Sequence, residues 1–292
     1  MNHFKEMKKH LILVSAVLIT CCFLAMTTVA IFAEDDSQTF ALSDAPAAVQ
    51  KTVQAQVAGG SMGDISKYLY AGEMIYDVEF TATNDVERDF RVAVDGTVLT
   101  VEVPLAEMST NAQSAIKSLV GDGSLEEIDE NLDDTETNYD VVFTNKVGQE
   151  KTDTIADDGT LESAEVALSE TPDAVNKKIT AQIADGKLES VDENFEDATN
   201  YDVTFTTKDG REDGFTVELD GSLSSEQVVL DEIPAPAQKT IKNQIGDGKI
   251  LRVDKSFVKE KGVLPFVVLG RKDGRPFNFS VGPRGRFLGM DY

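Results

Sequence analysis

Tryptophan, histidine and cysteine are almost absent from this chain of 292 residues. There is no Trp, and the two histidines and two cysteines all lie near the N-terminus, as His3, His10, Cys21 and Cys22. The rest of the chain therefore has no residues for Ser-His-Asp or Cys-His nucleophilic catalysis. It also lacks the ligands that zinc, iron and copper prefer. Since it cannot form a disulfide, its stability must come from core burial.

Residues 1–33 are typical of an export signal. Lys5, Lys8 and Lys9 precede an uncharged run at residues 11–33, and Glu34 then begins an acidic sequence. The basic start places the N-terminus in the cytoplasm and the rest of the chain outside. Because the run is long enough to span a bilayer, two outcomes remain open for residues 1–33: a cleaved signal peptide or an uncleaved membrane anchor. We expect an exported, periplasmic or extracellular protein whose only membrane contact is this segment.

The chain is strongly acidic. It contains 52 Asp and Glu against 27 Lys and Arg, which gives a formal net charge of −25. Such a charge repels nucleic acid and anionic membranes, because phosphate binding needs clustered Lys and Arg. Hydrophobic residues make up 41% of the chain, which is enough for a packed core. We expect a globular protein with no nucleic-acid partner.

Several landmarks recur along the chain at a nearly constant interval. The tripeptide Tyr-Asp-Val begins at Tyr76, Tyr139 and Tyr201. The glycines that end the predicted helices keep the same interval. A fixed period shared by independent landmarks is typical of tandem structural repeats. We predict four repeats, at residues 41–103, 104–166, 167–229 and 230–292.

Each repeat has the pattern of one helix followed by four strands. Apolar residues recur four apart in the predicted helix, as at Val175, Ile179 and Ile183, which buries one helical face. Residues 201–206 alternate between apolar and polar, which indicates a strand with one solvated face. Asp209-Gly210 favours a tight hairpin. We predict an α+β fold of four tandem α-β-β-β-β units, each a helix packed on its own four-stranded antiparallel sheet.

These features resemble a known family of exported bacterial domains. One helix, four antiparallel strands, this unit length and the pattern Tyr-Asp-Val-x-Phe after an acidic loop are similar to the PepSY-like, β-lactamase-inhibitor-like domain. The resemblance covers nearly all of residues 41–292, as four copies. It implies a non-catalytic binding or inhibitory module outside the cytoplasm. It implies no role for any particular residue of this chain.

Acidic segments in repeats 2 and 3 invite comparison with calcium loops. Residues 129–134 and 192–197 lack the central glycine and the bidentate glutamate spacing of such loops. The core-facing positions of the repeats are apolar, so no buried carboxylate with a raised pKa is evident for acid–base chemistry. We therefore expect no metal site, no cofactor and no enzymatic activity.

Repeat 4 differs from the others in charge and in one strand. Residues 230–292 contain 12 Lys and Arg against 7 Asp and Glu, a net charge of +5. Repeat 3 has alternating polar residues along its second strand, but repeat 4 has Val267 and Leu269 there. An apolar centre with an arginine rim has the composition of a binding patch. We predict a binding site formed by Val267, Leu269, Arg271, Arg275 and Arg286, and its alternative is a face that packs against repeat 3 or caps the array.

The function that the sequence favours is an exported binding module without catalytic activity, such as an inhibitor or scaffold for an envelope or extracellular protein. The expected partner is another protein with an acidic surface, or repeats 1–3 of a second copy. One alternative is a structural spacer without a specific ligand. The other is an enzyme that acts on a charged polymer, and a buried carboxylate pair in a cleft would favour it.

Overall fold

The computed structural model describes residues 40–70, 73–132, 137–195, 199–272 and 275–291. The predicted signal or anchor at residues 1–33 lies outside these ranges. Among the described residues, no helix is both long enough and apolar enough to cross a membrane. Along them, a short 3₁₀ turn, an α-helix and four β-strands follow one another four times.

The four helices begin and end close to the residues that the sequence marks. Three of them are preceded immediately by a proline: Pro46, Pro172 and Pro234. Proline has no N–H, and no helical hydrogen bond needs one at this position. Ser109 caps the remaining helix by accepting a hydrogen bond from the Ala112 N–H at 3.1 Å. The helices are α1 Ala47–Gln56, α2 Thr110–Val120, α3 Asp173–Ile183 and α4 Ala235–Ile245.

Sixteen strands follow the helices in groups of four. In chain order they are β1 Ser61–Tyr70, β2 Glu73–Thr81, β3 Glu87–Ala93, β4 Val98–Glu102, β5 Ser124–Asn131, β6 Asn138–Thr144, β7 Glu150–Ala156, β8 Leu161–Glu165, β9 Lys187–Asn194, β10 Asn200–Thr206, β11 Glu212–Glu218, β12 Leu223–Gln227, β13 Lys249–Ser256, β14 Phe266–Lys272, β15 Arg275–Val281 and β16 Phe287–Asp291.

All sixteen strands belong to one curled antiparallel sheet, in the order β1 to β16. The prediction of four helices packed on four separate sheets is therefore wrong. The last strand of one group pairs with the first strand of the next, as β4–β5, β8–β9 and β12–β13. We call these the first, second and third junctions. They form because a strand at a sheet edge has unpaired N–H and C=O groups that a neighbouring strand can satisfy.

One face of the sheet carries the helices and the apolar core. Each helix packs its apolar stripe against inward residues of the strands that follow it, which gives four clusters of buried side chains. In the third cluster along the chain, Val175 and Ile179 of α3 lie against Val203, Phe215 and Val217, all at most 2% exposed. Because successive side chains of a strand point to opposite faces, every second residue lies on the face without helices.

The opposite, helix-free face is mostly polar, with a small apolar cluster of Ile75, Ala93 and Leu99, and many of its side chains are buried. Asp129, Ser190 and Ser280 are between 1% and 3% exposed, although the helices lie on the other side. Side chains of neighbouring strands cover one another on this face, which explains this burial. The helix-free face therefore holds buried polar and charged groups such as Asp129 and Arg91.

Candidate functional site

Each junction places one aspartate on the helix-free face. These residues are Asp129, Asp192 and Asp254, which pair across the junctions with the last residues of β4, β8 and β12. In the second junction the Ser190 hydroxyl donates a hydrogen bond to Asp192 at 3.0 Å. In the third, Arg252 Nε donates to Asp254 at 2.7 Å. The residue two positions before the aspartate therefore supplies its donor in both.

The first junction breaks this rule. The residue two positions before Asp129 is Glu127, an acid where the other junctions have a donor. Asp129 is only 1% exposed, and neither of its carboxylate oxygens accepts a hydrogen bond. A buried carboxylate without hydrogen bonds carries a large desolvation cost, so something else must compensate its charge.

A second row of aspartates shows the same exception. The hydroxyls of Thr154 and Thr216 donate to Asp140 and Asp202 at 2.8 and 2.6 Å. In the first group of strands the position of those threonines is occupied by Arg91, opposite Asp77 in the strand register. The Oδ1 atom of Asp77 is buried and accepts no hydrogen bond. Where the other repeats have a threonine, the first therefore has an arginine. Asp77 has no hydroxyl donor opposite it and faces a positive charge instead.

Arg91 is the positive centre of this region. Its Nη1 lies 3.3 Å from Asp129 Oδ2 and its Nη2 lies 3.6 Å from Glu127 Oε1. Asp89, Glu127 and Asp129 each offer an oxygen within 4.8 Å of the others. We call Asp77, Asp89, Arg91, Glu127 and Asp129 the first-junction cluster. Its four carboxyl groups face one guanidinium.

The pKa values of the cluster follow from burial and mutual repulsion. Burial, reinforced by the neighbouring acids, raises the pKa of Asp89 to about 8 and that of Glu127 to about 9. Burial also raises the pKa of Asp77, against the opposing effect of Arg91. Burial disfavours the charged form of Arg91, but Asp129 and the other acids outweigh this and raise its pKa. These shifts show that a low-dielectric site holds more negative groups than it can keep ionised.

This finding corrects the expectation that no carboxylate is buried with a raised pKa. The sequence argument considered only the core face, whereas the acids of this cluster lie on the helix-free face. The core face is not entirely apolar either: Asp153 stands opposite Val141 where other repeats have Phe90 and Phe215, and burial raises its pKa to about 6. The side chains of Glu127 and Asp129 are 13% and 2% exposed. That exposure admits a proton or a small ion but leaves little room for an organic substrate.

The structure separates the residues of the predicted repeat 4 site. Val267, Leu269 and Arg271 alternate along the helix-free face of β14; the first two are half-buried and Arg271 is 7% exposed. Arg275 is exposed at the start of β15, and Arg286 is exposed in the turn before β16. Arg271 is therefore part of the packed sheet, and only Arg275 and Arg286 have the exposure expected of a rim.

Further apolar side chains are exposed near the same end of the sheet, and the sequence argument missed them. They lie in the β13–β14 connection and on the edge strand β16: Val258 at 60%, Leu264 at 39%, Phe287 at 39% and Met290 at 41% exposed. Whether these side chains are exposed depends on which strand lies at the edge of the sheet.

A sequence signal for the first-junction cluster was present. Asp89, Arg91 and Glu127 differ in residue type from their counterparts in the next repeat, Thr152, Thr154 and Ser190.

No family model matches this chain, and no curated protein matches it. Similar solved structures include a provisionally described calcium-regulated periplasmic protein from Bacteroides thetaiotaomicron, 19% identical, covering 42% of this chain and 93% of its own, with a TM-score of 0.28. A provisionally described periplasmic protein of the DUF2874 family from Bacteroides vulgatus is 17% identical, covers 42% of this chain and 93% of its own, and has a TM-score of 0.27.

A further provisionally described periplasmic protein from Bacteroides vulgatus, of unknown function, is 15% identical, covers 44% of this chain and 99% of its own, and has a TM-score of 0.28. TM-scores below 0.5 carry no argument about function. The resemblance to the PepSY-like domain is not confirmed.

Proposed function

We propose that this chain is an exported, non-catalytic protein that binds another protein through the C-terminal end of its sheet. The observation that carries the proposal is the group of exposed apolar side chains there, which are four of the ten large ones exposed among the described residues. Val258, Leu264, Phe287 and Met290 are each at least 39% exposed, close in sequence to the half-buried Val267 and Leu269. Exposed apolar groups concentrated in one region of a soluble protein usually mark an interaction surface.

Charge supports a partner with an acidic surface. The last repeat has a net charge of +5 in a chain whose total is −25. Arg275 and Arg286 are exposed and can pair with carboxylates in two-pronged hydrogen bonds. A partner protein of the cell envelope fits this chemistry, and the acidic repeats of a second copy fit it too. Export is supported by the basic start and the uncharged run of residues 11–33.

The two rival functions have weaker support. The carboxyl groups of the first-junction cluster are too enclosed for a polymer chain to reach, which argues against hydrolysis of a charged polymer. The continuous sheet of sixteen strands gives the molecule length and is compatible with a spacer. A spacer needs no concentration of exposed apolar groups at one end, so we favour binding.

The repeats supply a test that should preserve the fold. In the strand register Val267 pairs with Asp254 and Leu269 with Arg252. In repeat 3 the residues that pair with the corresponding Asp192 and Ser190 are Asp202 and Thr204. Val267 therefore occupies the position of Asp202, and Leu269 that of Thr204. Val267→Asp with Leu269→Thr therefore copies residues that this sheet already accommodates. We expect the double variant to lose the partner that the wild-type chain captures from envelope extract, as identified by mass spectrometry.

Val147→Asp is the matched control, because Val147 is 70% exposed in the β6–β7 turn, far along the sequence from the C-terminal end. It should retain the partner. Light scattering of the purified chains would separate self-association from binding of a different protein. If the wild type captures no protein, the spacer function is preferred. If the double variant captures the same proteins as the wild type and has the same mass in solution, Val267 and Leu269 are not part of a binding surface.

A further inference from the structure

We propose that the connection between β13 and β14 closes the C-terminal edge of the sheet, so that the last strand does not pair with a strand of a second copy of this chain. Lys261, at the tip of this connection, is the residue that closes the edge. The closure ends the array of repeats, and it is independent of partner binding by side chains at the same end.

At each junction the next repeat forms a hydrogen bond with one particular carbonyl of the preceding repeat. That carbonyl belongs to the residue that the strand register skips at a bulge in the last strand of the repeat. The donor is the backbone N–H of the first residue after the first strand of the next repeat. The carbonyls are those of Leu99, Glu162 and Ser224, and their donors are Leu132, Phe195 and Phe257, each at 2.8 Å.

Leu288 has this position in the last repeat. The register of β15 with β16 skips Leu288 between Phe287 and Gly289, as the register of β11 with β12 skips Ser224. Since β16 ends the strand order, its neighbour on one side only is a strand of the described chain. The Leu288 carbonyl accepts a hydrogen bond from Lys261 Nζ. A side-chain ammonium group thus takes the place that a backbone N–H has at the three junctions.

The connection that carries Lys261 is longer than its counterparts. It spans residues 257–265, whereas the connections at the same place in repeats 2 and 3 span residues 132–137 and 195–199. The additional residues form a small hairpin, in which Glu260 and Val263 exchange two backbone hydrogen bonds of 2.8 and 3.0 Å. The hairpin is therefore a feature that the last repeat adds to the common unit.

The tip of the hairpin lies against the end of the sheet. Lys261 and Gly262 form the tip, with φ of +46° and +84°, as a two-residue turn of type I′ requires. A Cβ on Gly282, directly after β15, would lie 3.5 Å from Val263 Cγ2. A Cβ on Gly289 would lie 3.5 Å from Lys261 Nζ. The hairpin therefore packs on the end of β15 and brings the amine to the edge of β16.

A lysine amine at this place protects the edge in two ways. Edge strands have unpaired backbone N–H and C=O groups that can pair with another chain, and proteins protect such edges with lysine side chains or with a covering loop. The Lys261 side chain is 52% exposed, and its charge is compensated by Glu260 Oε1 at 3.4 Å. A strand that approaches β16 must displace the amine from the Leu288 carbonyl and remove its water, which costs free energy.

Lys261→Met tests the closure, because it keeps the length of the side chain but removes the donor and the charge. We expect the purified variant to self-associate, with a mass in light scattering about twofold that of the wild type or more, as edge strands pair. Replacement of residues 257–265 by residues 195–199 removes the whole hairpin and should have the same effect. Lys259→Met is the matched control, since Lys259 is exposed in the same connection and the change of charge is identical. It should keep the wild-type mass.

Two further variants show whether association occurs by strand pairing. Met290 lies two residues after Leu288, so its backbone N–H points to the same side of β16 as the Leu288 carbonyl. Combined with Lys261→Met, Met290→Pro removes that N–H and should restore the wild-type mass. Met290→Ala in the same combination removes the apolar side chain but keeps the N–H, and it should still associate. Association through apolar side chains would instead be reduced by both changes.

The closure is wrong if neither Lys261→Met nor the hairpin replacement exceeds the mass of the wild type, or if Lys259→Met associates as strongly as Lys261→Met. It is also wrong if the proline and alanine combinations associate equally. Capture of a partner from envelope extract by the wild type tests the proposed function separately, so either result can fail without the other.

Discussion

Asp192 makes the stability of this protein depend on pH in a way that one substitution should remove. Burial, opposed by the Ser190 hydrogen bond and reinforced by Glu165, Asp202 and Asp153, raises the pKa of Asp192 to about 7 from an ordinary value of 3.8. Between these two values the folded chain holds a proton on Asp192 that the unfolded chain has released. Stability from this group is therefore full below about pH 4 and is lost as the pH rises to about 7.

The expected magnitude follows from the proton count. One proton of difference changes the free energy of unfolding by about 1.4 kcal/mol for each pH unit. Raising the pH from 4.5 to 6.5 should therefore cost the wild type about 2–3 kcal/mol through Asp192 alone. Asp192→Asn keeps the shape and an oxygen for the Ser190 hydroxyl, but it does not titrate.

Urea denaturation of both chains at several pH values measures the difference. We expect the two chains to have similar stability near pH 4.5, where the carboxyl group is mostly neutral. The asparagine variant should become the more stable of the two as the pH rises, by about 2–3 kcal/mol at pH 6.5. A constant difference between the two curves would refute the reasoning, because Asp192 would then titrate alike in the folded and unfolded chains.

Three further substitutions test the core, a turn and a buried hydrogen bond, each by urea denaturation. Ile179→Ala should cost about 2–5 kcal/mol, because Ile179 is fully buried in the stripe of α3; a loss below about 0.5 kcal/mol would place this helix elsewhere. Gly159→Ala should cost more than Gly148→Ala, since both have positive φ but only the new Cβ at Gly159 would meet a backbone oxygen, that of Asn111 at 2.9 Å; equal losses would contradict this. Thr154→Val should cost about 1–3 kcal/mol by removing the donor to buried Asp140, and Thr154→Ser should recover most of it. A valine variant as stable as the serine variant would show that the hydroxyl contributes nothing.

The local elements could be predicted because their signals are local. The apolar residues of α3 recur four apart, and Val175 and Ile179 are fully buried as that spacing indicates. Asp209-Gly210 forms the turn between β10 and β11, with Gly210 at a φ of +82°. The same Asp-Gly pattern at residues 273–274 predicts a second hairpin turn, which lies outside the described residues. The proposed protein-binding residues and the absence of catalysis stay predictions.

The joining of the strands could not be predicted from the same signals. The alternation of apolar and polar residues along β4 or β5 indicates which residues face the helix. That alternation is the same whether the strand edge is exposed to solvent or hydrogen-bonded to another strand. The first-junction cluster has the same origin. Asp89 and Glu127 belong to different repeats, and only the pairing of β3, β4 and β5 brings their carboxyl groups together.

The sequence by itself determined the helices, the turns and the period at which landmarks recur, because propensity and burial pattern act over a few neighbouring residues. The tertiary structure decided that sixteen strands form one curled sheet and that polar side chains on its helix-free face are buried. Those properties depend on hydrogen bonds between distant strands and on the crowding of side chains across them. Burial on that face turns acids that would otherwise be ordinary surface residues, such as Asp129 and Asp192, into groups whose charge must be compensated.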